Sequence, residues 1–369
     1  MKILQIIPLL SSGGAEKFTI DLSNELARLG NEVILVTLFD KNEMSSLESY
    51  VDTKNVGRQS LHKRPGFDIK CYINILNLIR KEKPDVVHAH VGAIKYLALA
   101  AVIYRKCKYV ATIHSEARRE AGRGIELMSR KCLFKLRLMI PVTISDDSEL
   151  SFENFYGFCG NMIPNGCSLY DSRAIDSQNN DKKDLDFLFV HAGRLQKVKN
   201  QISLVKAFKH LLDDGEKVKL LIMGRKEDPE VYDSISPYLG NGIEYIGEQK
   251  DCRFFMSAAD AFCLSSSMEG MPITVIEAFS VGCVPIVTPV GGCVNLVQDG
   301  VNGIIAKGIH EDDYYEALRK FLSLSSTDRK EMKSNAIKTF SQKYSITTSA
   351  KKYIELYSIY NSSLKISHA

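Results

Sequence analysis

The sequence predicts an α/β protein made of two doubly wound, Rossmann-like domains facing a central cleft. Three observations predict it. Short apolar runs rich in β-branched residues alternate with helical patterns. The alternation restarts past the middle of the chain, after a polar stretch. The length, 369 residues, suits two domains that each bury a core.

Five runs in the first half read as strands of a parallel sheet: residues 2–8, 32–38, 85–90, 109–114 and 139–144. Between the first two, Phe18, Leu22, Leu26 and Leu29 fall at helical spacing over 15–29, and Gly30 stands where a C-terminal cap belongs. The rhythm resumes with a strand at 186–190, a helix over 201–212 and a strand at 217–223. Strand-like runs follow at 243–246, 261–264 and 284–287. Residues 170–186 lack apolar periodicity and read as a linker. The expected division is 1–169, the linker 170–186, 187–342, and a closing segment 343–369. Two open sheets joined this way leave a cleft, with ligands at the carboxyl ends of the strands.

Composition narrows the class. Hydrophobic residues make up 45% and charged residues 25%, which excludes collagenous, disordered and disulfide-scaffold chains. No apolar run approaches the ~18 residues of a membrane span. The N-terminus reads as a strand and not as a signal peptide, so a soluble, cytoplasmic protein is expected. Nine cysteines form no Cys-x-x-Cys pair; they read as small buried hydrophobes in a reducing compartment.

The chemistry-bearing residues lie just after the strands. Ser11-Ser-Gly-Gly-Ala-Glu16 follows the first one. Gly13 and Gly14 suit either a tight turn or a phosphate cradle at a helix N-terminus. The stretch lacks G-x-G-x-x-G spacing and a P-loop lysine, which weakens dinucleotide and ATPase readings. In the second half a strand ends at Gly193, Arg194 follows, and Lys199 leads into the next helix. Two cations there suit a departing diphosphate or form a solvated basic loop, the reading preferred for Lys197. Next comes Ser265-Ser-Ser-Met-Glu-Gly-Met-Pro-Ile-Thr-Val-Ile-Glu-Ala-Phe-Ser280. Pro272 reads as a first-turn proline and Ile273–Ser280 as helix. That places Glu277 in an apolar, buried helix, where a carboxylate needs a partner such as a ribose diol. Glu269 precedes the helix and can meet sugar hydroxyls, while amides of Gly270, Met271 and Ile273 can face a phosphate. The alternative is a helix cap and a structural ion pair.

These residues, with Gly282-Cys-Val-Pro-Ile-Val-Thr-Pro-Val-Gly-Gly292, resemble the retaining GT-B glycosyltransferases of family four over nearly the whole chain. The Glu269-x7-Glu277 segment is the most specific part. The resemblance implies a nucleotide sugar held mainly by the C-terminal domain, an acceptor held by the N-terminal one, and retention of configuration without a metal. It assigns Glu277 to the ribose, Glu269 to the sugar hydroxyls, Arg194 and Lys199 to the diphosphate, and Gly14 to the cradle. It matches Ser266 to a small residue before the first glutamate and Asn165-Gly166 to the turn closing the N-terminal domain. Gly224, Ile246, Gly270, Met271, Pro272 and Ile273 complete the implied donor set. His114 matches the histidine near the reacting sugar. The final helix is implied to cross back onto the N-terminal domain through Ile346, Tyr353, Ile354 and Tyr357. The chain departs from the family at Ser168, Gly224-Arg225-Lys226 and Val294-Asn295; the second departure bears on the base.

His88 and His90 lie on one face of a strand end. With His114 they suggest a metal site or, in the preferred reading, an acceptor-facing surface. His62, His210, His310 and His368 have no motif context. The net charge of +4 hides an asymmetry: residues 95–137 hold 11 Lys and Arg against 3 Asp and Glu. Cations interleaved with Leu, Met and Phe suit anionic lipid headgroups or a solvated helix packed by one face. Nucleic acid is not expected, because no binding motif accompanies the patch.

The reading is a metal-independent hexosyltransferase. It takes a nucleoside-diphosphate sugar, UDP favoured, to a saccharide, in the expected case a lipid-linked intermediate of surface polysaccharide such as capsule or lipopolysaccharide. The protein is expected in the cytoplasm, peripheral to the membrane. Rivals are an epimerase or hydrolase on the same fold and a non-catalytic nucleotide-sugar-binding subunit.

Overall fold

The computed structural model describes residues 1–11, 13–40, 47–66, 68–170 and 187–365. Apart from Tyr170, the expected linker lies outside the described residues. The chain forms two compact units: Met1–Ser168 with Ile346–Ala369, and Leu169–Ser345.

The first unit is a parallel seven-stranded sheet. Its strands are β1 (Lys2–Ile7), β2 (Glu32–Thr37), β3 (Val56–Ser60), β4 (Val86–His90), β5 (Lys108–Ile113), β6 (Ile140–Thr143) and β7 (Asn161–Met162), in the order β3-β2-β1-β4-β5-β6-β7. β1, β4 and β5 are buried on both faces, which is why they read as unbroken apolar runs. The sequence gives no such signal for β3, an edge strand whose Gly57, Arg58 and Gln59 are exposed, or for the two-residue β7.

The helix Gly14–Arg28 buries Phe18, Leu22 and Leu26 at the expected spacing, and Gly30 takes φ +85° just past its end. It packs on the closing helix Ile346–Lys365, which belongs to this unit. Ile346, Tyr353 and Tyr357 of that helix are buried, joined by Ala350 and Leu356, whereas Ile354 is half-buried. Thr347 donates a hydrogen bond to Glu25 at 2.5 Å and Ser349 donates one to the Pro164 carbonyl at 2.8 Å.

The second unit holds β8 (Phe187–Ala192), β9 (Val218–Met223), β10 (Ile243–Gly247), β11 (Ala261–Leu264), β12 (Val284–Val287) and β13 (Ile304–Ile305). Its parallel sheet runs β10-β9-β8-β11-β12-β13. Strand order reverses at β8, between β9 and β11, the position where an open α/β sheet leaves a crevice beyond its strand ends. Among the described residues, no helix is long and apolar enough to cross a membrane. Six cysteines are buried as expected; Cys132 and Cys159 are exposed and Cys252 is partly buried.

Candidate active site

The loops that leave β8 and β11 are stitched together at the reversal of strand order. Ser267 donates its amide to the Val198 carbonyl at 2.8 Å, and Ser265 Oγ donates to the Lys199 carbonyl at 3.1 Å. Ser265 and Ser266 are fully buried, and Thr288 Oγ1 donates to the Ser266 carbonyl at 2.6 Å. Glycines permit the packing around them. A Cβ on Gly224 would stand 1.9 Å from the Gly193 carbonyl oxygen, and one on Gly291 would stand 1.9 Å from that of Glu269. The Gly291-Gly292 turn thus seats the Glu269–Met271 segment through direct backbone contact.

This stitching brings Lys199, Ser266 and Glu269 together, with Arg194 at the start of the same loop after β8. Lys199 pairs with Glu269 at 2.7 Å, and Ser266 Oγ donates to the same carboxylate at 2.5 Å. Arg194 pairs with Glu227 at 3.0 Å. Glu227 also accepts from Gln196 at 2.7 Å and from Arg225 at 3.2 Å. Burial raises the Glu227 pKa, but Arg194 and Arg225 outweigh it and hold the carboxyl below its ordinary value. Lys197 instead makes an exposed pair with Glu230, as the solvated reading had it.

Three contributors were not evident in the sequence. Glu227 gathers Arg194 and Arg225 from two loops. His191 lies buried in β8; its Nδ1–H donates to the Cys263 carbonyl at 2.9 Å, leaving Nε2 to accept from Gln201 at 3.3 Å. Burial lowers its pKa to about 4. Gln201 also donates to the Arg194 carbonyl at 3.0 Å, fixing the backbone at that cation. A histidine within an apolar strand run and a glutamine opening a helix were the available signals.

Two local expectations are corrected. Pro272 caps the helix at φ −70°, ψ 110° and does not form its first turn, and the helix starts at Ile273. Glu277 is half-buried, because its position on that helix falls between the core-facing Ile276 and Ala278. Its charge is felt by Cys252, whose thiol pKa is raised first by burial and then by Glu277. Gly224, at φ +142°, accepts the Tyr245 hydroxyl at 2.7 Å, while Ile246 lies on the edge strand β10 and accepts from Gln249. Met271 and Ile273 are buried beside the half-buried Gly270.

The first unit presents a different chemistry. Gly13 caps the helix Gly14–Arg28 in an extended conformation, and a Cβ there would meet Glu16 Oε2 at 2.2 Å. Ser11 Oγ donates to that glutamate at 3.0 Å. His88 and His90 are fully buried, which corrects the expectation that they face an acceptor. His88 bonds the Tyr357 hydroxyl and Thr112 Oγ1, each at 2.7 Å; His90 bonds Gln5 Oε1 at 2.7 Å and His114 Nε2 at 3.1 Å. Neighbouring parallel strands supply this layer, with Gln5 in register with His88 and His90 with Thr112. Burial lowers the pKa of all three histidines, that of His114 to about 3. Among the described residues, no three His, Cys, Asp or Glu groups converge as metal ligands.

Among the described residues, two cavities open on this unit. One, of about 790 Å³, is lined by Phe39, Lys63, Tyr72, Lys95, Tyr96 and Glu126. Lys63 Nζ lies 4.7 Å from the Phe39 ring centre, and Lys95 pairs with Glu126 at 3.3 Å. The other, of about 690 Å³, is lined by Arg118, Arg119, Arg123, Leu127 and Phe155. Within residues 95–137, Val102, Ile103, Met128 and Leu136 are exposed among Arg105, Lys106, Lys135 and Arg137.

Comparison with known proteins agrees with both halves. Residues 12–168 match the family model described as Glycosyltransferase Family 4, and residues 172–339 match that of Glycosyl transferases group 1. A UDP-Gal:alpha-D-GlcNAc-diphosphoundecaprenol alpha-1,3-galactosyltransferase of Escherichia coli is 27% identical over 85% of this chain and 86% of its own. An alpha-1,4-N-acetyl-D-galactosaminyltransferase of Campylobacter jejuni, named for an undecaprenol-diphosphate glycan, is 26% identical over 91% and 92%. In fold, the chain resembles Anabaena HepE solved with UDP and glucose. The TM-score is 0.80 at 20% identity, over 97% of this chain and 99% of that one.

Proposed function

Since this chain belongs to the GT-B glycosyltransferases of family four, we propose that it moves a hexosyl residue from a UDP-sugar to a lipid-linked saccharide in surface polysaccharide synthesis. The observation that carries the reading is the union of Arg194, Lys199, Ser266 and Glu269 on two stitched loops at the reversal of strand order. A diphosphate gains charge as its bond to the sugar breaks, and two fixed cations beside a helix N-terminus answer that charge. Glu227 pairs with Arg194 and Arg225, and Glu269 pairs with Lys199. With donor bound, Arg194 and Lys199 turn to the diphosphate, Glu269 to sugar hydroxyls and Glu277 to the ribose.

The reaction retains configuration and needs no metal ion. The bond from the anomeric carbon to the diphosphate oxygen breaks, and the acceptor oxygen bonds that carbon on the same face. The acceptor's proton passes to the departing phosphate oxygen. His114 serves the reacting sugar as a neutral group. The acceptor saccharide occupies the 790 Å³ cavity, where Tyr72, Tyr96 and Phe39 offer apolar faces to pyranose rings. The exposed cations and apolar side chains of 95–137 rest on anionic headgroups at the cytoplasmic membrane face. Named acceptors of the Escherichia coli and Campylobacter relatives support the lipid-linked choice.

The test supplies UDP-hexoses labelled in the sugar with undecaprenyl-diphosphate-linked saccharide in vesicles, with and without EDTA. Label entering the lipid fraction in either case, with the α-anomer kept, is expected. Label released only as free sugar would favour a hydrolase, and loss of transfer in EDTA would overturn the metal-free mechanism.

A further inference from the structure

Glu227 has more donors than an ion pair with Arg194 requires. Arg194 reaches it through Nη1 alone, shared between the two carboxylate oxygens at 3.0 and 3.3 Å. The strong form of such a pair uses two nitrogens in parallel, and that form is absent here. Glu227 in turn does not depend on Arg194. One oxygen also accepts from the Gln196 side-chain amide at 2.7 Å, and the other accepts from Arg225 Nη2 at 3.2 Å. The backbone beneath these groups is fixed: the Leu195 amide donates to the Arg225 carbonyl at 2.9 Å, and the Asp228 amide donates to that of Leu195 at 3.0 Å. The Arg194 side chain is 40% exposed and is the part with room to turn.

We infer that Glu227 is the counter-ion an incoming diphosphate displaces from Arg194, and that Arg225 is a positioning residue that holds Glu227 when Arg194 leaves it. Exchange of this kind is easy only where the abandoned carboxylate stays hydrogen-bonded, because a partly buried acceptor left bare carries a desolvation cost. Arg225 and Gln196 remove that cost. Lys199 and Glu269 follow the same plan, since Ser266 Oγ stays on Glu269 when the lysine turns away. All of these groups lie in the second unit. Arg225 is also one of the residues at which the chain departs from the family pattern, so the device belongs to this chain. The inference rests on the proposed donor site for the identity of the anion.

Calorimetry with UDP on the full chain tests it. Glu227→Gln keeps the shape and removes the competing charge, so UDP should bind about two- to fivefold tighter, the worth of a partly exposed pair. Arg225→Ala leaves Glu227 to grip Arg194 harder and should weaken UDP by a similar factor. The two effects are expected to couple. In Glu227→Gln, a further Arg225→Ala should change nothing, and in Arg194→Ala, a further Glu227→Gln should bring no gain. A merely structural role would weaken UDP in both single variants without that coupling. UDP bound no tighter by Glu227→Gln would overturn the exchange, and this arm decides it even if Arg225→Ala fails to fold. A loss from Arg225→Ala that persists in Glu227→Gln would put Arg225 on the phosphate itself and overturn its positioning role. UDP binding that weakens in Arg194→Ala yet ignores Glu227→Gln would overturn the inference alone. A folded wild type that binds neither UDP nor UDP-glucose would bring down the donor-site reading and this inference with it.

Discussion

The two units bury polarity in opposite ways. In the first, three histidines, a glutamine, a threonine and two tyrosines form a neutral, hydrogen-bonded layer beneath the helices Gly14–Arg28 and Ile346–Lys365. In the second, the functional groups are full charges held in partly exposed pairs, Lys199 with Glu269 and Arg194 with Glu227. The neutral layer stabilises its own unit and offers at most one unpaired acceptor. The Arg194–Glu227 pair, a third or more exposed, adds little stability, about 0–1 kcal/mol, and the cations of these loops are available to exchange partners. One unit is organised to stay as it is and the other to respond to a ligand.

Acidification separates the units most strongly. His88, His90 and His114 have folded pKa values below the unfolded value of about 6.5. Their contribution is complete above that pH and is lost as pH falls toward the folded values, because the unfolded chain binds protons the native one does not. At pH 5 His114, held to about 3, costs about 2 kcal/mol, and His88 and His90 act in the same direction. Among the described residues, the second unit has one such histidine, His191. Hydrogen exchange at pH 7 and pH 5 should therefore show β1, β4 and β5 losing protection before β8 and β11. Simultaneous loss would break the comparison.

Substitutions sharpen it. Arg194→Ala should lower kcat/KM by about 10²–10³-fold, or about 2.7–4 kcal/mol of transition-state stabilisation, while the urea midpoint moves little. Tyr357→Phe should do the reverse. Removing the hydroxyl strands His88 Nδ1 in the core, and urea titration should record a loss of about 1–3 kcal/mol. Lys197→Ala, which removes an exposed pair with Glu230, should change stability by less than about 0.5 kcal/mol and leave turnover unaltered.

The sequence was legible where burial is two-sided or where glycine and proline punctuate the chain. β1, β4, β8, β11 and β12 were readable as apolar runs, and the helix Ile273–Ser280 from the proline before it. β3 was not, because an edge strand with three exposed residues in a row carries no alternation. Lys199 and Glu269 were readable as site residues from their place after strands. Their direct pairing was not, because it depends on loops 66 residues apart in sequence joined by Ser265. His88 and His90 were misplaced for the opposite reason. Spacing put them on one face of a strand, but the helices decide that this face is covered, Tyr353 and Tyr357 over His88 and Phe18 over His90. Glu227 lay among charged residues and had no pattern to mark it.

Hydrogen–deuterium exchange with saturating UDP, GDP and ADP tests most directly the claim that the second unit is the nucleotide-sugar module. One nucleotide, UDP in this account, should protect residues 193–200 and 265–277 and lose that effect in Arg194→Ala. A folded protein in which none of the three protects these segments, or in which protection falls on other strands alone, would contradict it.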